Sequence, residues 1–243
     1  MNHEPRIRRL IAAHESGHAL VGAVLGQKID FVTIQGDANC DGCCHFLEEV
    51  KRTQEGTVRA LVSLAAGPLA WNMAEISEET SASPASAATM SDEALAPSRA
   101  ERVAEAKKIY MPSESAESDE KLIEMGTRVL FGMRAATWDD AFNIKLRTFA
   151  VAREILTIHA RALDTLAAEL LSVGTVSGNF VEQVAAEGER RTGWTKYRRV
   201  GVSKFVLIAP LAARMAAEAT DGTSADEYAA RLAACILEID GTR

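Results

Sequence analysis

His14-Glu15-Ser16-Gly17-His18-Ala19 lies within a run, residues 6–26, that reads as a single helix. Ile7, Leu10, Ile11, His14, His18, Val21 and Leu25 recur at steps of three and four, the spacing of an inward-facing helical stripe. Residues four apart share a helix face, with Cβ atoms about 5–6 Å from each other. Two imidazoles so placed can grip one Zn²⁺ at roughly 2.0–2.1 Å each. Glu15 then points beside the metal and can take a proton from a water bound to it. H-E-x-x-H in this setting is the pattern of a zinc metallopeptidase. Gly17 and Gly22 each cost about 1 kcal/mol of helix propensity relative to alanine. That makes sense if another element packs tightly against this helix. The plainer alternative is a buried helix whose two histidines are satisfied by ordinary hydrogen bonds.

The rest of the chain bounds what such a site could serve. Its 243 residues suffice for one large domain or two small ones, with 47% hydrophobic and 25% charged residues. Abundant alanine and few aromatics favour helices. A net charge of −7 argues against nucleic acid as the main partner. Arg6, Arg8 and Arg9 look like the start of a signal peptide, but His14, Glu15 and His18 interrupt the apolar stretch that would have to come next. No uninterrupted apolar run approaches the ~18 residues of a membrane span. The expectation is a cytoplasmic protein with its four cysteines mostly reduced.

After the motif helix, residues 29–35 alternate as a half-buried strand. Asp41-Gly42 is a two-residue turn signal, and residues 43–50 return as a second strand. Residues 53–76 read as a helix in which Pro68 predicts a kink or a break. Residues 77–98 are rich in Ser, Ala, Thr and Pro and read as a loop. Further helices are expected over 99–110, 118–132, 137–173, 179–187, 202–220 and 224–239. The fold class is therefore mainly α with a small β-hairpin or sheet.

The order of these pieces resembles a known family. His-Glu-Ser-Gly-His-Ala at 14–19, a strand pair, Leu-Ala-Ala-Gly at 64–67, and Glu154-Ile155-Leu156-Thr157-Ile158-His159 with Leu163, Leu166, Leu170 and Gly178 resemble the proteolytic domain of the FtsH proteases, the M41 peptidases. That family reads HEAGHA, a hairpin, and a helix carrying LAGR-AAE. The resemblance spans roughly residues 6–187 and implies a zincin helix in an FtsH-peptidase-like architecture. On this reading residues 1–187 form the peptidase domain, with an inserted loop at about 77–112, and 188–243 form a basic connector and a C-terminal helical extension. The chain departs from the family in three ways. It has no G-x-x-x-x-G-K-[ST] phosphate loop and no spanning segment, so it looks like a free-standing relative without the ATPase. Pro68 stands where the family has Arg. Cys40, Cys43 and Cys44 occupy a hairpin that is Gly-rich in the family.

Zinc needs a third protein ligand and an open position. Val24 occupies the place where a metzincin would have histidine. The resemblance implies an Asp at the start of a later helix, and two Ser-Asp-Glu triplets compete, at 91–93 and 118–120. Asp119 is favoured because Leu122, Ile123, Met125 and Val129 follow it as a packable helix. Asp92 is followed by Pro97, which would break one. Glu75 is the alternative if the chemistry is gluzincin-like. Each acid alone could equally be a solvated helix-start residue.

Two other clusters stand out. Cys40-x-x-Cys43-Cys44-His45 could be a structural zinc or redox site. With Cys43 and His45 on one strand face and Cys44 on the other, it offers three ligands at most, and plain thiols fit better. Arg190, Arg191, Lys196, Arg198 and Arg199 surround Trp194 and Tyr197, a pattern that can bind nucleic acid. In an acidic chain a solvated connector or a protein-docking surface fits better. His159 and Cys235 read as core residues.

The sequence thus points to a zinc-dependent, ATP-independent endopeptidase. His14, His18 and Asp119 would hold Zn²⁺, and Glu15 would activate the zinc-bound water. The substrate is a protein or flexible peptide laid along a hairpin edge, with a partner protein supplying unfolded chain where needed. The opposing reading is a catalytically silent, metal-binding regulatory or adaptor protein with the peptidase fold.

Overall fold

The motif helix, α1 (Pro5–Val24), is buried at every position from Leu10 to Val24. The structure, a computed structural model, describes residues 5–36, 41–47, 53–82, 121–123, 138–208, 212, 216 and 222–231. Proline is well placed in the first turn of α1, where its missing N–H has no helical partner to lose. The helix ends in a Schellman turn: Gly26 adopts φ +81°, its N–H reaches the Ala23 carbonyl, and the Gln27 N–H reaches that of Gly22. The expected stripe understates the burial, because α1 is wrapped on several sides.

Helix α2 (Gln54–Ala82) lies antiparallel against α1. Gly17 makes the close approach possible: a Cβ there would stand 2.6 Å from the Ala66 carbonyl oxygen and 2.7 Å from the Ala70 Cβ. Gly22 serves β2 in the same way, against the Phe46 ring. α2 runs through Pro68 without ending and continues past residue 76, into the stretch expected to be loop. The helix expected over 137–173 is two, α3 (Trp138–Ile158) and α4 (Ala160–Val173), separated at His159. Gly174, with φ +80°, ends α4 and donates its N–H to the Leu170 carbonyl.

Among the described residues the sheet has three antiparallel strands in the order β2-β1-β3. They are β1 (Ile29–Thr33), β2 (Cys43–Phe46) and β3 (Thr175–Ser177). The third strand has no counterpart among the elements expected from the sequence. Helix α5 (Gly178–Thr192) follows it directly and is capped by the Ser177 hydroxyl accepting from the Phe180 N–H. The fold class is thus mainly α with a small antiparallel sheet. Among the described residues, no helix is long and apolar enough to cross a membrane.

Two short helices follow α5: α6 (Lys196–Val200) and α7 (Val202–Val206). Tyr197, Val202 and Val206 join the same hydrophobic core as α1 and α2. A carboxylate on α2 helps tie this segment down. Glu55, in the first turn of α2, accepts hydrogen bonds from the Val202 and Ser203 N–H groups at 3.0 Å each and from Arg59 Nε at 2.9 Å. Burial opposes its charge, but the hydrogen bonds from Ser203, Arg59 and Val202 outweigh that and hold its carboxyl below the ordinary range. Glu55→Ala should therefore cost about 1–3 kcal/mol, since it strands two backbone donors. A carboxyl depressed in the folded state stabilises fully above its unfolded pKa, about 4.3. The contribution fades as pH falls through the lower, folded value. Urea unfolding of wild type and variant should differ most at pH 7 and converge in acid. A gap that persists undiminished at pH 2 would refute the ionic origin.

Candidate metal centre

His14 and His18 sit one turn apart on α1, both buried, with their Nε2 atoms 3.0 Å apart. Two Zn–N bonds of 2.0–2.1 Å at a tetrahedral angle would set those atoms about 3.3 Å apart. A few tenths of an ångström of opening would admit the ion. The rings meet edge-on, centroids 4.6 Å apart and planes at 82°.

The partner of His18 decides its tautomer. Its Nδ1 is 2.8 Å from the Ser63 carbonyl oxygen. A carbonyl can only accept, so Nδ1 carries the proton and Nε2 presents its lone pair. Metal-binding histidines are commonly held in this way, by an acceptor at the other ring nitrogen. Ser63 is itself fixed, its hydroxyl bonded to Gln27 Oε1 and to the Arg59 carbonyl.

One turn along α2 from Ser63, Gly67 faces both rings. A Cβ there would lie 2.3 Å from His18 Nε2 and 2.8 Å from His14 Nε2. The missing side chain lets both rings close directly against the α2 backbone. The Gly67 within Leu-Ala-Ala-Gly is thus a site residue. So is Trp71, a further turn on, whose indole meets the His14 ring at 6.2 Å and 87°.

Glu15 is 7% exposed and faces the sheet. A Cβ on Gly42 would stand 2.8 Å from its Cγ and 3.0 Å from its Oε1. The sequence marks Gly42 as a turn glycine, but it is not among the glycines with positive φ. Its role is to let the start of β2 touch Glu15. Strand alternation holds beyond it. His45 is exposed, stacked on Phe31 with centroids 5.2 Å apart, and lies 3.4 Å from Asp30. Cys44 turns inward toward Glu15. Burial first, then the Glu15 carboxylate and Cys43, push its thiol well above the usual range. Cys44 is therefore a neutral, weakly nucleophilic thiol. Cys43 and Cys44 are both free of disulfides. Cys40 and Cys235 lie outside the described residues.

Of the third-ligand candidates, Asp119 and Asp92 lie outside the described residues. Glu75 is not brought to the imidazoles: it is ion-paired with Arg6 at 3.1 Å, two turns before His14. Among the described residues no third His, Cys, Asp or Glu completes a metal-sized group.

Three residues of the basic segment are ion-paired. Lys196 pairs with Glu154 at 3.0 Å and Arg198 with Glu189 at 2.9 Å, while Arg190 pairs with Glu187 at 2.6 Å. Arg198 also donates to the Ala23 carbonyl in the last turn of α1, where a cation suits the helix dipole. Tyr197 donates to Glu154, and burial and that bond push its hydroxyl far above its usual pKa. His159 is packed rather than hydrogen-bonded. Neither ring nitrogen has a partner among the described residues, Trp194 meets it edge-on at 5.7 Å, and burial lowers its pKa.

Compared with known proteins, the chain matches no family model and no curated protein.

Proposed function

We propose that this chain is a zinc-dependent, ATP-independent endopeptidase, a relative of the FtsH-type peptidase domain that it resembles. What supports the reading is the imidazole pair: two Nε2 atoms 3.0 Å apart, one with its tautomer fixed by a backbone carbonyl, both packed against a glycine that admits them. His14 and His18 would hold Zn²⁺, with Asp119 as the third ligand. A zinc ion held there would supply Lewis acidity to the attacking water. Glu15 takes the proton of the attacking water and hands it to the leaving amine. The burial of Glu15 keeps bulk water from competing for that proton. Strand β2 lies at the sheet edge and begins against Glu15, so a peptide added as a strand there would pass the general base. The substrates would be flexible segments or unfolded chain supplied by a partner.

The test joins metal content by mass spectrometry to cleavage of an unfolded protein substrate, before and after chelation. Zinc at one equivalent, with cleavage lost on chelation and restored by zinc, is the expected result. Metal without cleavage would favour the regulatory reading instead. The third ligand has its own test. Asp119→Ala should reduce zinc affinity by at least about 100-fold, because two histidines alone make a poor site. Asp92→Ala and Glu75→Ala should leave occupancy unchanged. Equal occupancy in all three variants would dismiss the assignment.

A further inference from the structure

Helix α2 presents one stripe to the imidazole pair. Ser63, Gly67 and Trp71 are spaced four apart and therefore lie one above another. Ser63 tethers His18 through its carbonyl, and Gly67 lets both rings approach the helix backbone. Trp71 takes no part in the proton transfers assigned to Glu15, yet its indole is 8% exposed and lies edge-on against His14. A centroid separation of 6.2 Å at 87° is within the favourable range for perpendicular aromatic pairs. His14 also meets His18, again edge-on. The His14 ring is thus in contact with both an indole and the partner imidazole.

We propose that Trp71 is a positioning residue for His14. Its indole restricts the imidazole to the rotamer in which Nε2 faces His18 Nε2, so the pair is assembled before any cation arrives. The restraint on the ring follows from ring geometry alone, and its consequence for metal rests on the zinc reading. A site populated only part of the time binds with an affinity reduced by the competent fraction. Loss of the indole should therefore appear as weaker binding at an unchanged set of ligands.

The experiment compares Trp71→Phe, Trp71→Leu and Trp71→Met in the full chain. The first keeps a ring edge, and the other two fill space without one. Imidazole nitrogen signals are recorded by NMR in metal-free protein, and Co²⁺ uptake is followed by visible absorption. In Trp71→Leu and Trp71→Met the His14 signals should average over ring orientations, its Nε2 no longer held at His18 Nε2. His18 should keep its Nδ1–H form, because the Ser63 carbonyl still holds it. Co²⁺ affinity should fall about tenfold, the lower end of the usual effect of removing an outer partner. Trp71→Phe should restore both readouts. A single, sharp His14 form with wild-type Co²⁺ affinity in Trp71→Leu or Trp71→Met would overturn the proposal. So would loss of order at both histidines together without rescue by phenylalanine, the mark of a merely structural role. If Trp71→Leu does not fold, Trp71→Met carries the comparison. Should wild type take up no Co²⁺, the zinc reading fails, and the imidazole spectra still decide the role of Trp71.

Discussion

Gly67→Ala should abolish metal uptake and hydrolysis together while leaving the protein folded. The added methyl would fall 2.3 Å from His18 Nε2, 2.4 Å from His18 Cε1 and 2.8 Å from His14 Nε2. Unstrained contacts between such atoms are about 3.5 Å or more, so something must move. Parting the helices would forfeit the close packing that Gly17 gives α1 against the Ala66 carbonyl and the Ala70 methyl. The cheaper relief is rotation of the imidazoles. Turning His18 breaks its bond to the Ser63 carbonyl and moves both Nε2 atoms out of register. Removal of an outer-shell partner alone costs about 10–100-fold in metal affinity. Displacing both ligands should exceed the upper figure. Overpacking costs about 1–3 kcal/mol, offset in part by the ~1 kcal/mol that alanine gains over glycine in a helix. Stability should thus change far less than occupancy. Metal analysis and urea unfolding of the same preparation would separate the two. Wild-type zinc content in Gly67→Ala would place the cation away from these histidines.

The residues around that methyl are unevenly legible in the sequence. The motif carries its own spacing, so α1 and the pairing of His14 with His18 follow from helix geometry alone. Gly17 can be read as a packing glycine because a glycine mid-helix is costly without a neighbour to admit. Gly67 sits in a recognisable stretch, but nothing local says that it faces imidazoles from another helix. Ser63 acts through its carbonyl, which every residue has, so its identity holds no signal. Trp71 could have been found as the third member of a stripe with period four. Gly42 misleads, because Asp-Gly is a turn signal wherever it occurs. Here it serves a contact with Glu15, a residue 27 positions earlier.

The fold shows the same division. Strand β3 is three residues long, too short for alternation to register, and exists because β1 offers it a partner. The break between α3 and α4 falls at His159 with no glycine or proline to announce it. The run 188–201 reads as a basic connector because charge is local and its partners are not. Glu154 is 42 positions from Lys196, and Glu55 is 147 from Val202. Such long-range carboxylates turn a charged segment into part of the core, and no window of sequence contains both ends.

Glu15→Gln should separate chemistry from binding, which Gly67→Ala cannot. Glutamine has nearly the same shape, so the contact with Gly42 and the neighbourhood of Cys44 are preserved. Glu15 follows His14 by one residue and so points about 100° away from the shared face of the histidines. Its replacement leaves both Nε2 atoms and the Ser63 bond in place. The variant should hold zinc at wild-type stoichiometry and keep wild-type stability at neutral pH to within about 1 kcal/mol, since packing is conserved. What it loses is the proton acceptor. An amide oxygen cannot take a proton near neutral pH, and general-base catalysis contributes about 10²–10⁴-fold. The rate of peptide cleavage should fall by that factor, with the loss in kcat rather than KM, because the base acts in the transition state. Three outcomes divide the readings. Loss of rate with metal retained supports Glu15 as the base. Loss of metal as well would make Glu15 part of the ligand set, completing a group that His14 and His18 begin. Cleavage at the wild-type rate would move the chemistry elsewhere on the chain, and would leave the imidazole pair as a binding site in the service of the regulatory reading.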